Sequence, residues 1–178
     1  MGNVIEVTIN DLFDENNILR HKSTEVDIVD ISSLYGLINN MKKEILLSSH
    51  ATGISAIQLG SPLRVFVINM KREKNRDIVA INPRVISISG RMQKRLEGCL
   101  SLPNYSGKVK RRNKISFLAI DMEGIERQYE FEGYTAAVIQ HEFDHLDGIL
   151  YWDRMENAQL PNKRVAYDNE KVIEVLEN

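Results

Sequence analysis

The feature that most constrains this chain is the stretch "QHEFDH" at residues 140–145. Two histidines four residues apart meet one ion only if the backbone between them is helical, because helical periodicity puts His141 and His145 on the same face. Glu142, one residue on, reaches a water beside such an ion but is poorly placed to ligate alongside both imidazoles. This is the H-E-x-x-H arrangement. The plain alternative is an exposed helix whose histidines pair with nearby acids. With four histidines in the chain, chance gives the pattern in roughly one protein in a few hundred, so the metal reading is preferred. "TAAVIQHEFDHL" predicts a helix from about Tyr134 to Leu146.

Two imidazoles need a third ligand. The longer pattern H-E-x-x-H-x-x-G-x-x-H is followed as far as Gly148 and then fails, with Tyr151 where a histidine is required. Downstream carboxylates, Glu156, Glu170 and Glu174, are candidates, but none sits in an obvious second metal-binding helix. The better candidate is the only cysteine, Cys99, in "RLEGCLSLPNYSG". Gly98 lets the backbone approach closely, and Ser101 to Pro103 end the element. A thiolate binds a divalent metal at about 2.3 Å and loses its proton in doing so. A lone cysteine is more often buried and inert, but beside a histidine pair lacking a ligand it is better read as the third donor.

Elsewhere the periodicity predicts an α+β chain without repeats or linkers. Ile28, Ile31, Leu34, Tyr35, Ile38, Met41 and Ile45 predict a helix over 27–50, with Asp27 or Asp30 as N-cap. "RVFVIN" reads as a buried strand, and "DIVAINPRVISIS" as a strand that Pro83 interrupts with a bulge or an edge. "KISFLAIDMEGIERQYEFEG" reads as a hairpin turning at Asp121–Gly124. "KVKRRNK" (108–114) holds five basic residues without interleaved aromatics, which favours a solvated strand edge over a nucleic-acid patch. "DNEKVIEVLEN" predicts a short amphipathic helix at 168–178.

Composition narrows the function classes. At 178 residues with net charge −2, one domain with a real core is expected, and no global field attracts DNA or an anionic membrane. A single cysteine excludes an intrachain disulfide. The acidic, polar N-terminus resembles neither a secretory signal nor a transit peptide, and Glu6 stands where a myristoylation signal needs Ser or Thr. No run approaches eighteen apolar residues. The expectation is a cytoplasmic protein.

Three blocks in order resemble the peptide deformylases, whose signature is G-x-G-x-A-A-P-Q-x-G, E-G-C-L-S and Q-H-E-x-D-H. Here they stand as "ATGISAIQLG" (51–60), "EGCLS" (97–101) and "QHEFDH" (140–145). The resemblance covers about residues 15 to 155. It implies an α+β single domain over 1–178, with antiparallel or mixed β-sheets packed around a central metal-binding helix. The implied activity is removal of the N-formyl group from formyl-methionine on newly made polypeptides, releasing formate. Cys99, His141 and His145 would hold one divalent metal, Fe²⁺ in the cell, with Zn²⁺, Ni²⁺ or Co²⁺ able to replace it. Glu142 would be general base and then acid. The Gln58 amide and the Leu100 backbone N–H would stabilise the oxyanion. Gly53, Ile54 and Gly98 would line the substrate groove, and Glu97 would shape the pocket or support a ligand. The implied partners are N-formyl-methionyl nascent chains, with weak ribosome association at most. Residues 168–178 set four acids against Lys171 and so lack a basic docking helix.

The first block departs from the pattern at Ala51 for Gly, Ser55 for Ala and Ile57 for Pro. These changes bear on the loop's backbone path and substrate preference; Gly53 and Gln58 remain. The rival readings are an enzyme for a non-peptide formamide, a silent relative that binds formylated peptides, and a zinc endopeptidase.

Overall fold

Alternation in one four-residue strand organises the molecule. In the computed structural model, which describes residues 4–8, 10–14, 16–70, 77–155, 163–168 and 171–176, strand β2 (Val65–Ile68) is buried along its whole length. Successive side chains of a strand point to opposite faces. Val65 and Val67 therefore pack with Ile38, Met41 and Ile45 of helix α1 (Tyr35–Leu47), while Phe66 and Ile68 pack with Ala136, Ile139, Phe143 and Leu146 of helix α2 (Tyr134–Leu146). The sheet thus runs between two helices, and α2 coincides with the predicted span.

The sheet is antiparallel throughout, in the order β1-β2-β3-β4-β5. Strand β1 (Gly53–Ser55) forms one edge and runs into a 3₁₀ turn at Ala56–Leu59. Strands β3 (Ile78–Cys99) and β4 (Leu102–Ile120) form a long hairpin, and β5 (Glu126–Glu132) closes the other edge. Pro83 sits at a register shift between Ile81 and Arg84, where Asn82 takes φ 48°. The expected bulge is there because proline cannot supply a ladder N–H. The β4–β5 turn falls at Asp121–Gly124, with the Asp121 carboxylate accepting from the N–H groups of Glu123 and Ile125.

Three expectations need correction. The helix predicted over 27–50 is α-helical only over Tyr35–Leu47; Ile28–Leu34 is 3₁₀, capped by Asp27. The β-branched Ile28, Val29 and Ile31 followed by Ser32-Ser33 weaken α-helix there. Residues 108–114 pair with β3 and meet β5 only from Lys114, so the expected strand edge is there, but it is solvated on one face only. Lys108, Lys110, Arg112 and Lys114 face solvent, whereas Val109, Arg111 and Asn113 are buried. The tail forms a hairpin of β6 (Lys163–Asp168) and β7 (Lys171–Leu176) instead of a helix. Its Val165, Val172, Ile173 and Val175 are residues that favour strand.

A third cluster, Val7, Leu12, Leu19, Ile57, Leu102, Val109, Leu150, Tyr151 and Trp152, backs the end of α2. Ile57, where the family pattern has Pro, is fully buried in it. Among the described residues no helix is long and apolar enough to cross a membrane.

Gly148 ends α2 at φ +72°, and a Cβ built there would lie 2.3 Å from the Arg20 carbonyl oxygen. Gly148→Ala combines an unfavourable left-handed backbone with a backbone clash. It is expected to lower stability by more than about 2 kcal/mol in urea unfolding.

Candidate metal centre

The end of β3 and one face of α2 meet over the β1 edge. Cys99 closes β3, and His141 and His145 leave α2 one turn apart. One donor atom from each of the three lies within 4.8 Å of the others. The Cys99 Sγ–His145 Nε2 separation is 3.2 Å. Metal–sulfur and metal–nitrogen bonds of about 2.3 and 2.1 Å at a tetrahedral angle span about 3.6 Å, so a small opening admits an ion. A thiolate with two imidazoles suits a borderline-soft divalent ion, and the set leaves one position of a tetrahedron open. The arrangement fits such a metal.

The surroundings orient these donors. His141 Nδ1 faces Glu97 Oε2 at 3.0 Å, which leaves Nε2 as the nitrogen available to an ion. Burial pulls the His141 ring down, but hydrogen bonds to Cys99 and Glu97, with charge from Cys99 and Glu142, outweigh it and hold its pKa well above the ordinary value. His145 is pushed the other way, by burial and then by the charges of His141 and Arg111. His145 Nδ1 is buried with no hydrogen-bond partner among the described residues. Tyr151, at the position of the missing third histidine, stacks its ring 6.0 Å from that of His141.

Glu142 is 3% exposed. Burial raises its pKa, while His141, Ser55 and Arg111 act against the rise. The Ser55 hydroxyl lies 2.7 Å from Glu142 Oε2. A Cβ on Gly53 would stand 2.7 Å from Glu142 Oε1, so the bare glycine makes room for the carboxylate. Gln58 is fixed by its Oε1 accepting from the Ser55 N–H at 2.9 Å. Its Nε2 points at Ser101 Oγ, 3.1 Å, and Cys99 Sγ, 3.4 Å.

Not every expected groove residue turns its side chain to the site. Ile54 is fully buried in the α1-side core, so only its backbone can face a ligand. Leu100 occupies the β3–β4 turn, half-buried, and Gly98 is exposed beside it. Both Glu97 oxygens are engaged, by Arg111 and His141. Of the carboxylates weighed as third ligand, Glu156 and Glu170 lie outside the described residues.

The sequence reading missed Arg111. Its guanidinium, 5% exposed, bonds Glu97 at 2.5 and 2.8 Å and Asp144 of α2 at 2.8 Å. Arg154 bonds the other Asp144 oxygen at 2.9 Å. The period-two alternation within "KVKRRNK" was the available signal: it puts Arg111 on the face of Val109. Burial pushes the Glu97 carboxyl up, but hydrogen bonds and charge from Arg111 and His141 prevail and hold it at about 2.

Residues 10–160 match the family model described as polypeptide deformylase. A peptide deformylase of Rhizobium meliloti is 37% identical over 138 residues, 76% of this chain and 78% of the relative. Peptide deformylase 1 of Clostridium perfringens is 39% identical over 142 residues, 79% of this chain and 93% of the relative. Among solved structures, a peptide deformylase of Legionella pneumophila superposes with TM-score 0.77 at 30% identity, covering 88% of this chain and 87% of that one. One from Synechococcus elongatus, solved in complex with actinonin, gives TM-score 0.76 at 30% identity, covering 87% and 80%.

Arg111→Met removes the cation shared by two buried carboxylates, leaving Glu97 only His141 and Asp144 only the half-exposed Arg154, and urea unfolding of the metal-free protein near neutral pH is expected to show a loss of about 3 kcal/mol. The folded pKa of Glu97 lies below its unfolded value of 4.5, so its contribution is present above about pH 4.5 and fades as pH falls towards 2. The wild type should therefore lose stability on acidification through that window, and the variant should lose less.

Proposed function

The chain belongs to the polypeptide deformylase family, and from that premise we propose that it is a metal-dependent hydrolase of nascent chains. It removes the N-formyl group from formyl-methionine at the start of newly made polypeptides and releases formate. The observation that carries this reading is the convergence of one thiolate and two imidazoles, within 4.8 Å of one another, beside a buried carboxylate and a fixed amide. The chain acts as one catalytic domain. Its partners are the formylated chains themselves, met where translation occurs, with only weak contact to the ribosome.

Cys99, His141 and His145 hold the ion, Fe²⁺ in the cell. When bound, a divalent ion at such a centre supplies Lewis acidity and a water acidified to a pKa near about 7. The protein's own residues do the rest. Glu142 takes a proton from the attacking water and returns it to the departing amine, a task suited to a carboxyl whose pKa burial has raised. The Gln58 Nε2 and the Leu100 backbone N–H donate to the oxygen on which negative charge develops. Gly53, the Ile54 backbone and Gly98 border the bound peptide, which lies extended along the open edge of β1. Glu97 holds the His141 ring in the ligating orientation.

The direct test is formate release from formyl-Met-Ala-Ser by protein purified without oxygen, alongside metal analysis. The expected result is turnover with about one divalent ion per chain, lost in Cys99→Ala, His141→Ala and His145→Ala alike. Full metal content and activity in Cys99→Ala would assign the third ligand to a downstream carboxylate. Glu142→Ala is expected to keep metal and fold while losing nearly all turnover. Gln58→Leu should lower kcat on the order of 10²–10³-fold with metal content unchanged. Cleavage of unblocked internal peptide bonds would instead identify an endopeptidase.

A further inference from the structure

Ser55 is the one departure from the family pattern whose side chain reaches the reacting groups. It ends β1, is fully buried, and aims its hydroxyl at two oxygens of one residue: Glu142 Oε2 at 2.7 Å and the Glu142 backbone carbonyl at 3.2 Å. Its backbone N–H meanwhile fixes Gln58 Oε1. The pattern this loop resembles has alanine here, which offers the carboxylate nothing.

We propose that the Ser55 hydroxyl is a positioning group for Glu142, tying its carboxyl to the end of β1 in one orientation. A hydroxyl has one hydrogen to give and lone pairs to receive. Within reach of both Oε2 and the main-chain carbonyl of the same residue, the buried Ser55 hydroxyl restricts rotation of the Glu142 side chain relative to its own backbone. Gly53 completes the seat, since its bare Cα leaves room for Oε1 where a side chain would not. A carboxyl that must meet first one reacting atom and then another gains from being held in a fixed orientation.

This inference rests on Glu142 acting as base and acid, so the experiment separates the two. Ser55→Ala, Ser55→Thr and wild type are purified with their metal, assayed for formate release from formyl-Met-Ala-Ser, and crystallised. Ser55→Ala is expected to lower kcat about tenfold, the kinetic equivalent of one lost hydrogen bond to a charged group, with KM within about twofold and metal content unchanged. In its crystal structure the Glu142 carboxyl should take more than one orientation. Ser55→Thr, which retains the hydroxyl, should return kcat to within about threefold of wild type. Wild-type kcat in Ser55→Ala, or an unchanged Glu142 orientation in its crystal, overturns the proposal. A wild type that releases no formate refutes the deformylase reading instead, and the crystallographic arm still decides whether Ser55 orients Glu142.

Discussion

The guanidinium of Arg111 is the interaction on which the site's geometry depends. Cys99 and Glu97 arrive on β3, His141 and His145 on α2, and Arg111 stands on β4 between them. It bonds Glu97 on one side and Asp144 on the other, and Glu97 in turn holds His141. A buried cation between two buried anions is a weak source of net stability, because desolvation offsets most of the attraction. Its directional value is larger. Five N–H donors in a fixed plane set strand against helix, adding to the Gln140 amide's bond to the Arg112 carbonyl and to the packing of Phe143 and Leu146.

Charge is arranged around the donor set with opposite effects at neighbouring positions. His141, against Glu97 and Cys99, is held towards its protonated form in the metal-free chain, and His145 towards its neutral form. An ion held by both rings would need a lone pair from each, so its uptake would displace a proton at His141 more than at His145. Burial raises the Glu142 pKa, and among the described residues its carboxylate is hydrogen-bonded to the Ser55 hydroxyl and to no arginine or histidine. The two carboxyls are thus shifted in opposite directions, Glu97 down by Arg111 and His141 and Glu142 up by burial.

Much of this was legible in the residues. Helical spacing gave α2 residue for residue, and three ordered blocks carried the family resemblance. The β4–β5 turn followed from Asp121 and Gly124, and the bulge at Pro83 from the missing N–H. The failures have a common physical cause, which is that local patterns do not show what lies on the other side. "KVKRRNK" looked uniformly solvated because composition conceals alternation, and Arg111 needed acids remote in sequence to make sense of its burial. The tail's Val172, Ile173 and Val175 fit either an amphipathic helix or a strand, and its pairing with β6 could not be read from one segment alone. Ser55 looked like a minor substitution until its hydroxyl met a residue 87 positions away.

The central claim is that one thiolate and two imidazoles hold the ion on which deformylation depends. X-ray absorption at the zinc edge, on zinc-loaded protein that releases formate from a formyl-methionyl peptide, addresses it most directly. The predicted first shell contains one sulfur at about 2.3 Å and two imidazole nitrogens at about 2.0–2.1 Å, with the remaining position light-atom. A first shell of nitrogen and oxygen alone in an active sample would contradict the account.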